Sequence, residues 1–221
     1  MEMPETEQID LNADESATDP GEPTSYASAD AAIELASRWV DNALLMLWTA
    51  RRAAETGSRT GVAGLSLNIV RRHFQTGRVV PGVSDTANIG RIETTFRQMK
   101  LALLNSASIF SFVDDETASM NTRGIYGSEV PVAAYAYSHG HIALTNDFPG
   151  LGLNCRAAVI IHQLAHYANP AVRDAAGVRG PAYESLDLET ALVNVHCYPN
   201  FAVNATPPFL DERYGMTRPD E

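Results

Sequence analysis

Apolar residues in the first half of the chain recur at intervals of three and four. From Asp30 to about Glu55, Ile33, Ala36, Val40, Leu44 and Leu47 draw one stripe down a helix, and Gly57 stands where it should stop. A shorter helix is predicted over Leu65 to Phe74, ending at "QTGRVVPGVSD", whose Gly and Pro mark a loop. Ile89, Ile92, Phe96, Met99 and Leu103 form a third stripe between about Thr86 and Asn105. After Ser106 the period changes. "SIFSFV" (108–113), "VPVAAYAYS" (130–138) and "HIALT" (141–145) are short, rich in β-formers and separated by Gly and polar residues. They predict strands, with Pro131 at an edge or a strand start. "NDFPGLGLN" turns the chain, and Asn154 is placed to cap the helix that follows. A turn-rich stretch, 169–185, precedes a last helix over about Leu186 to Asn204, perturbed at Pro199. Helices, then a small sheet, then two helices predict an α+β domain.

Composition divides the chain. Its formal net charge is -11, but residues 1–30 carry nine acidic side chains and no Lys or Arg, leaving 18 acidic and 16 basic residues elsewhere. The acidic head has few large apolar residues and cannot bury enough surface to offset its ordering entropy. The expected organisation is a flexible acidic leader (1–29), one domain (30–205) and a C-terminal tail (206–221). The leader lacks the basic and apolar regions of a classical secretory signal. That leaves cytoplasmic residence or non-classical export, with the leader a spacer or a handle for a secretion partner or inhibitor. No apolar run reaches membrane-span length, and the charge pattern gives no sign of nucleic-acid binding. Cys155 and Cys197 are too few for a disulfide framework; they pair with each other or remain buried thiols.

The candidate chemistry lies in "AVIIHQLAHYANP" (158–170). On a helix, His162 and His166 stand one above the other, where two ring nitrogens can bind one Zn²⁺. A carboxylate-bearing segment follows, with Asp174, Glu184 and Asp187 as candidate further ligands and His196 as another.

Together these pieces resemble the deuterolysin-type zinc metallopeptidases, the aspzincins, and their bacterial relatives. The resembling segments are "HIALTNDF", "RAAVIIHQLAHY", Asp174, "AYESL" and "ALVNVHCYPNFA". The resemblance implies a zincin-like domain with a helical N-terminal half, a small mixed sheet with an edge strand beside a peptide cleft, an HExxH helix and a terminal helix. It makes His162, His166 and Asp174 the zinc ligands and Tyr183 the oxyanion donor. The family's usual Gly-Thr-x-Asp setting is absent around Asp174, and His196 falls where the family has no ligand. Tyr167 and Tyr198 read as packing residues, and His139 and His141 mark the mouth of the implied edge strand. The implied activity is metalloendopeptidase hydrolysis of a peptide or protein substrate, and by analogy the domain suits a toxin or effector.

One position departs from that chemistry. The glutamate of HExxH would take the proton of zinc-bound water; here the position is Gln163. An amide cannot take up that proton at neutral pH, and general acid–base assistance is worth ~10²–10⁴-fold. Metal binding should survive, because the replaced residue is not a ligand. Activity is expected to be reduced or absent, and the alternative is a non-hydrolysing, zinc-stabilised peptide- or protein-binding module.

Overall fold

The computed structural model describes residues 25–77, 84–114, 116–117, 133–137, 140–175 and 181–206. Pro131, His139, the C-terminal tail beyond Thr206 and most of the acidic leader lie outside them.

The three predicted N-terminal helices are present as α1 (Ser25–Thr56), α2 (Gly61–Phe74) and α3 (Asp85–Leu104). α1 begins five residues before the expected domain boundary, and Ala29 is already buried. Its buried stripe is dominated by alanine: Ala32, Ala36, Ala43, Ala50 and Ala53. Small side chains let neighbouring backbones approach closely, and α1 packs against both α2 and α3. Gly57 stops α1 with φ +70°, as its freedom from a Cβ allows.

"SIFSFV" divides into one helical turn, α4 (Ser106–Ile109), and strand β1 (Phe110–Phe112). With β2 (Ala134–Tyr137) and β3 (His141–Leu144) it forms a three-stranded sheet in the order β1-β3-β2. β1 runs parallel to β3, with Ser111 opposite Ala143; β2 runs antiparallel to it, with Tyr135 opposite Ala143. "HIAL", the edge strand implied by the resemblance, is therefore central. Its Ile142, Ala143 and Leu144 are all buried, as suits a strand paired on both sides. The antiparallel edge is β2.

A 3-10 turn (Phe148–Gly150) leads into α5 (Leu153–Ala168), the helix with the histidine pair. Its N-cap is Gly152 rather than Asn154: the extended backbone that ends the turn falls at Gly152, leaving Asn154 inside the first turn. α5 packs against α1, α3, β2 and β3, so one element joins the helical layer to the sheet.

The predicted last helix is interrupted. After the single turn α6 (Pro181–Glu184) come α7 (Leu188–Val193) and α8 (Cys197–Asn204), with Asn194, Val195 and His196 between them. In a continuous helix Pro199 would clash with the carbonyl of Val195, four residues back. By restarting at Cys197 the chain puts Pro199 in a first turn, where its missing N–H has no intrahelical partner to lose. Tyr198 and Phe201 of α8 pack against Phe74 of α2 and Phe96 of α3, with ring centroids 5.2–5.7 Å apart. That aromatic cluster fixes α8, and with it the residue that starts it. Among the described residues no helix is long and apolar enough to cross a membrane.

Candidate metal centre

His162 and His166 lie on the C-terminal half of α5, one turn apart, with ring centroids 5.0 Å from each other. Ile160, Ile161, Leu164 and Ala165 are buried in the core, which fixes the rotation of the helix about its axis.

The chain then reverses tightly. The Asn169 N–H donates to the Ala165 carbonyl, ending the helix, and its side-chain oxygen accepts from Ala171 N at 3.0 Å. This turn carries the Val172 carbonyl to 3.1 Å from His166 Nδ1, which donates to it. The next residue makes an isolated parallel bridge to the break between α7 and α8. Arg173 N donates to the Val193 carbonyl at 2.8 Å, and Val195 N donates to the Arg173 carbonyl at 3.0 Å. Asp174 follows one end of that bridge and His196 follows the other. Two backbone hydrogen bonds thus bring together residues 22 positions apart in sequence.

Three imidazoles converge on the Asp174 carboxylate. His162 Nε2 lies 3.6 Å from Oδ1, His196 Nε2 3.4 Å from Oδ1, and His166 Nε2 3.4 Å from Oδ2. Ligand atoms of His162, Asp174 and His196 all fall within 4.8 Å of one another, and His166 adjoins this group through the second carboxylate oxygen. A tetrahedral site with bonds of ~2.0–2.1 Å has edges of roughly 3.3–3.4 Å, close to the separations of His162 and His196 from Oδ1. The Asp174 side chain is 57% exposed and that of His196 12%, so the carboxylate stands at the solvent side of a mostly buried histidine group.

Protonation states agree with cation binding. Burial drives His162 down to about 3 despite the opposing pull of Asp174, and burial likewise lowers His196. The hydrogen bond from His166 holds Asp174 below the usual carboxylate range, against the opposing effect of its partial burial. With Nδ1–H committed to Val172, Nε2 is the ring nitrogen that His166 turns toward the carboxylate oxygen. Imidazoles, a carboxylate and a ring oriented by a backbone carbonyl are ligand types that metal ions take, and His162, Asp174 and His196 could hold a metal ion.

The other sequence candidates are placed elsewhere. Asp187 caps α7, accepting from Thr190 N and Thr190 Oγ1 at 2.9 Å each. Glu184 is exposed on α6, and His141 is exposed at the start of β3. Tyr198 is buried and donates to the Leu192 carbonyl at 2.8 Å, whereas Tyr167 is exposed. Cys155 is exposed and Cys197 buried, and both are free thiols. The Tyr183 hydroxyl lies 2.8 Å from Nδ1 of buried His73 on α2. Asn204 Nδ2 donates to the other ring nitrogen of His73 at 2.9 Å. Sequence reasoning did not single out His73; its partners are 110 and 131 positions away, and no local pattern marks it.

Gln163 is 7% exposed, and its Nε2 donates to the backbone carbonyl of Ala134 on β2 at 3.1 Å. The amide fastens the histidine helix to the antiparallel edge strand. A carboxylate there could not donate that hydrogen bond unless protonated. A comparison of the chain with known proteins finds no family model and no curated sequence that matches it.

Proposed function

We propose that this is a zinc-binding domain of metalloendopeptidase type whose hydrolytic step is silenced at Gln163. The observation that carries the reading is the convergence of His162, His166 and His196 on Asp174, with the first two one turn apart on a helix that packs on the sheet. A zincin-like assignment accords with the α+β architecture, the helix over a small mixed sheet and the antiparallel edge strand beside it. These residues would hold the ion. In a peptidase site a bound zinc would polarise a peptide carbonyl and acidify a water. The chain's own contribution to proton transfer is what is missing, because Gln163 offers an amide already committed to Ala134. Tyr183, which the resemblance casts as the oxyanion donor, has its hydroxyl 2.8 Å from His73 Nδ1.

A second reading, a zinc-stabilised module that binds peptides without cutting them, is favoured by that same Gln163–Ala134 bond, which gives glutamine a use at this position. One experiment separates the two. Protein purified without chelator is expected to carry one zinc per chain, lost on His162→Ala, and to leave an unfolded protein substrate uncut. Gln163→Glu is then assayed on that substrate. New proteolysis identifies a peptidase scaffold, whereas continued silence with zinc retained identifies the binding module. Absence of zinc from the parent protein, together with an unchanged His162→Ala variant, would sink both.

A further inference from the structure

The resemblance implies a site of two histidines and one aspartate with a coordination position left for water. The geometry points to something else: we infer that His196 is a fourth protein ligand, so that the metal is enclosed by His162, His166, His196 and Asp174 with no position open to water or substrate. This inference rests on the zinc part of the reading above and, by closing the coordination sphere, sides with the zinc-stabilised binding module over the silenced peptidase.

Four observations carry it. His196 Nε2 is 3.4 Å from Asp174 Oδ1, shorter than the 3.6 Å separating His162 from the same atom. Its ring centroid is 5.0 Å from that of His162, the same spacing that separates His162 from His166. The imidazole sits at the break between α7 and α8, whose backbone is tied by the Arg173–Asn194 bridge to the segment bearing Asp174. Lastly, α8 is anchored by the Tyr198 and Phe201 aromatic contacts, so His196 approaches the group from a rigid element. Asp174 reaches one histidine through Oδ2 and two through Oδ1 and stands at the solvent side of the group, so three imidazoles and a carboxylate supply four protein ligands. A four-coordinate site made wholly of protein groups is the hallmark of structural zinc, whereas catalytic zinc keeps a position open. The centre then works as a clip, joining the reverse turn after α5 and the start of α8 to α5 itself.

The test uses the full chain loaded with cobalt(II), whose visible spectrum reports coordination, together with zinc affinity measured by competition with a chromophoric chelator. The native spectrum is expected to stay unchanged on addition of azide or acetohydroxamate. His196→Ala is expected to lower zinc affinity by more than the ~10–100-fold that loss of a supporting residue costs, and to make its cobalt spectrum respond to azide. His196→Gln serves as a second variant should the alanine form fold poorly. A native spectrum that shifts with azide, or a His196 variant that keeps its affinity within a few-fold, overturns the inference and leaves the zinc reading standing. A native protein that binds neither zinc nor cobalt overturns both.

Discussion

Gln163 and His73 are two buried polar side chains whose hydrogen bonds decide what each position tolerates. In Gln163→Glu the donor to Ala134 O is lost and a carboxylate meets a carbonyl in a site that is 7% exposed. An unsatisfied buried group costs about 1–3 kcal/mol, so this variant should unfold earlier than the parent in urea at pH 7. The deficit should shrink toward pH 4, where a protonated carboxyl can donate to the carbonyl again. His73 is the clearer titration. Asn204 donates to its Nε2, so Nδ1 carries the proton toward Tyr183, and protonating Nε2 would set two donors against each other. Burial, reinforced by Arg72, pushes its pKa from 6.5 down to about 3. The unfolded chain therefore binds this proton before the folded chain does. The stability it contributes is complete above pH 6.5 and drains away as pH falls toward 3. The slope is about 1.4 kcal/mol per pH unit for one such group. His73→Gln should flatten the parent's pH dependence by about that amount in metal-free urea titrations between pH 6 and 4.

At the level of helices and strands, the sequence was readable wherever one element's own periodicity decided the outcome. α1 and α3 follow their apolar stripes; Ala36, Val40 and Leu47, and likewise Ile89, Ile92, Phe96 and Met99, are fully buried. The α7–α8 break was hidden because it depends on a partner strand-like residue, Arg173, far back in the chain; Pro199 marked that a disturbance was due but not where. Asp174 was set apart from Glu184 and Asp187 by the resemblance alone; the bridge is what sets it facing three imidazoles. The bridge itself can be tested. Arg173→Pro removes the N–H that donates to Val193 and should weaken zinc binding by ~10–100-fold, as loss of a supporting contact does. Helical circular dichroism should be unchanged, since Arg173 lies outside every helix.

Taken as one folded body, the described chain builds a single core in which α1, α2, α3, α5 and α8 share buried residues with the sheet. The metal group lies at the edge of that core, where α5, the turn after it and the α7–α8 break meet. Binding a ligand only in the folded state stabilises it by about 4 kcal/mol at 1,000 times Kd, and about 2–4 °C accompanies each kcal/mol for a chain of 150–250 residues. Removing zinc with a chelator should therefore lower the melting temperature by roughly 8–16 °C, and excess zinc should restore it. A His162→Ala variant should melt at the chelated temperature with or without zinc. The α+β class and the histidine pair were legible in advance because both follow from local pattern. The full ligand group was not, since it needs three separate segments to converge.

The Arg173–Asn194 bridge has an evolutionary consequence. Its two hydrogen bonds use only main-chain N–H and C=O groups, which nearly every amino acid supplies identically. The side chain at 173 is thus free to drift without disturbing that pairing, proline excepted, whereas buried Asn194 also donates to Cys197 Sγ. Relatives of this chain could preserve the placement of Asp174 and His196 while showing no common residue at position 173.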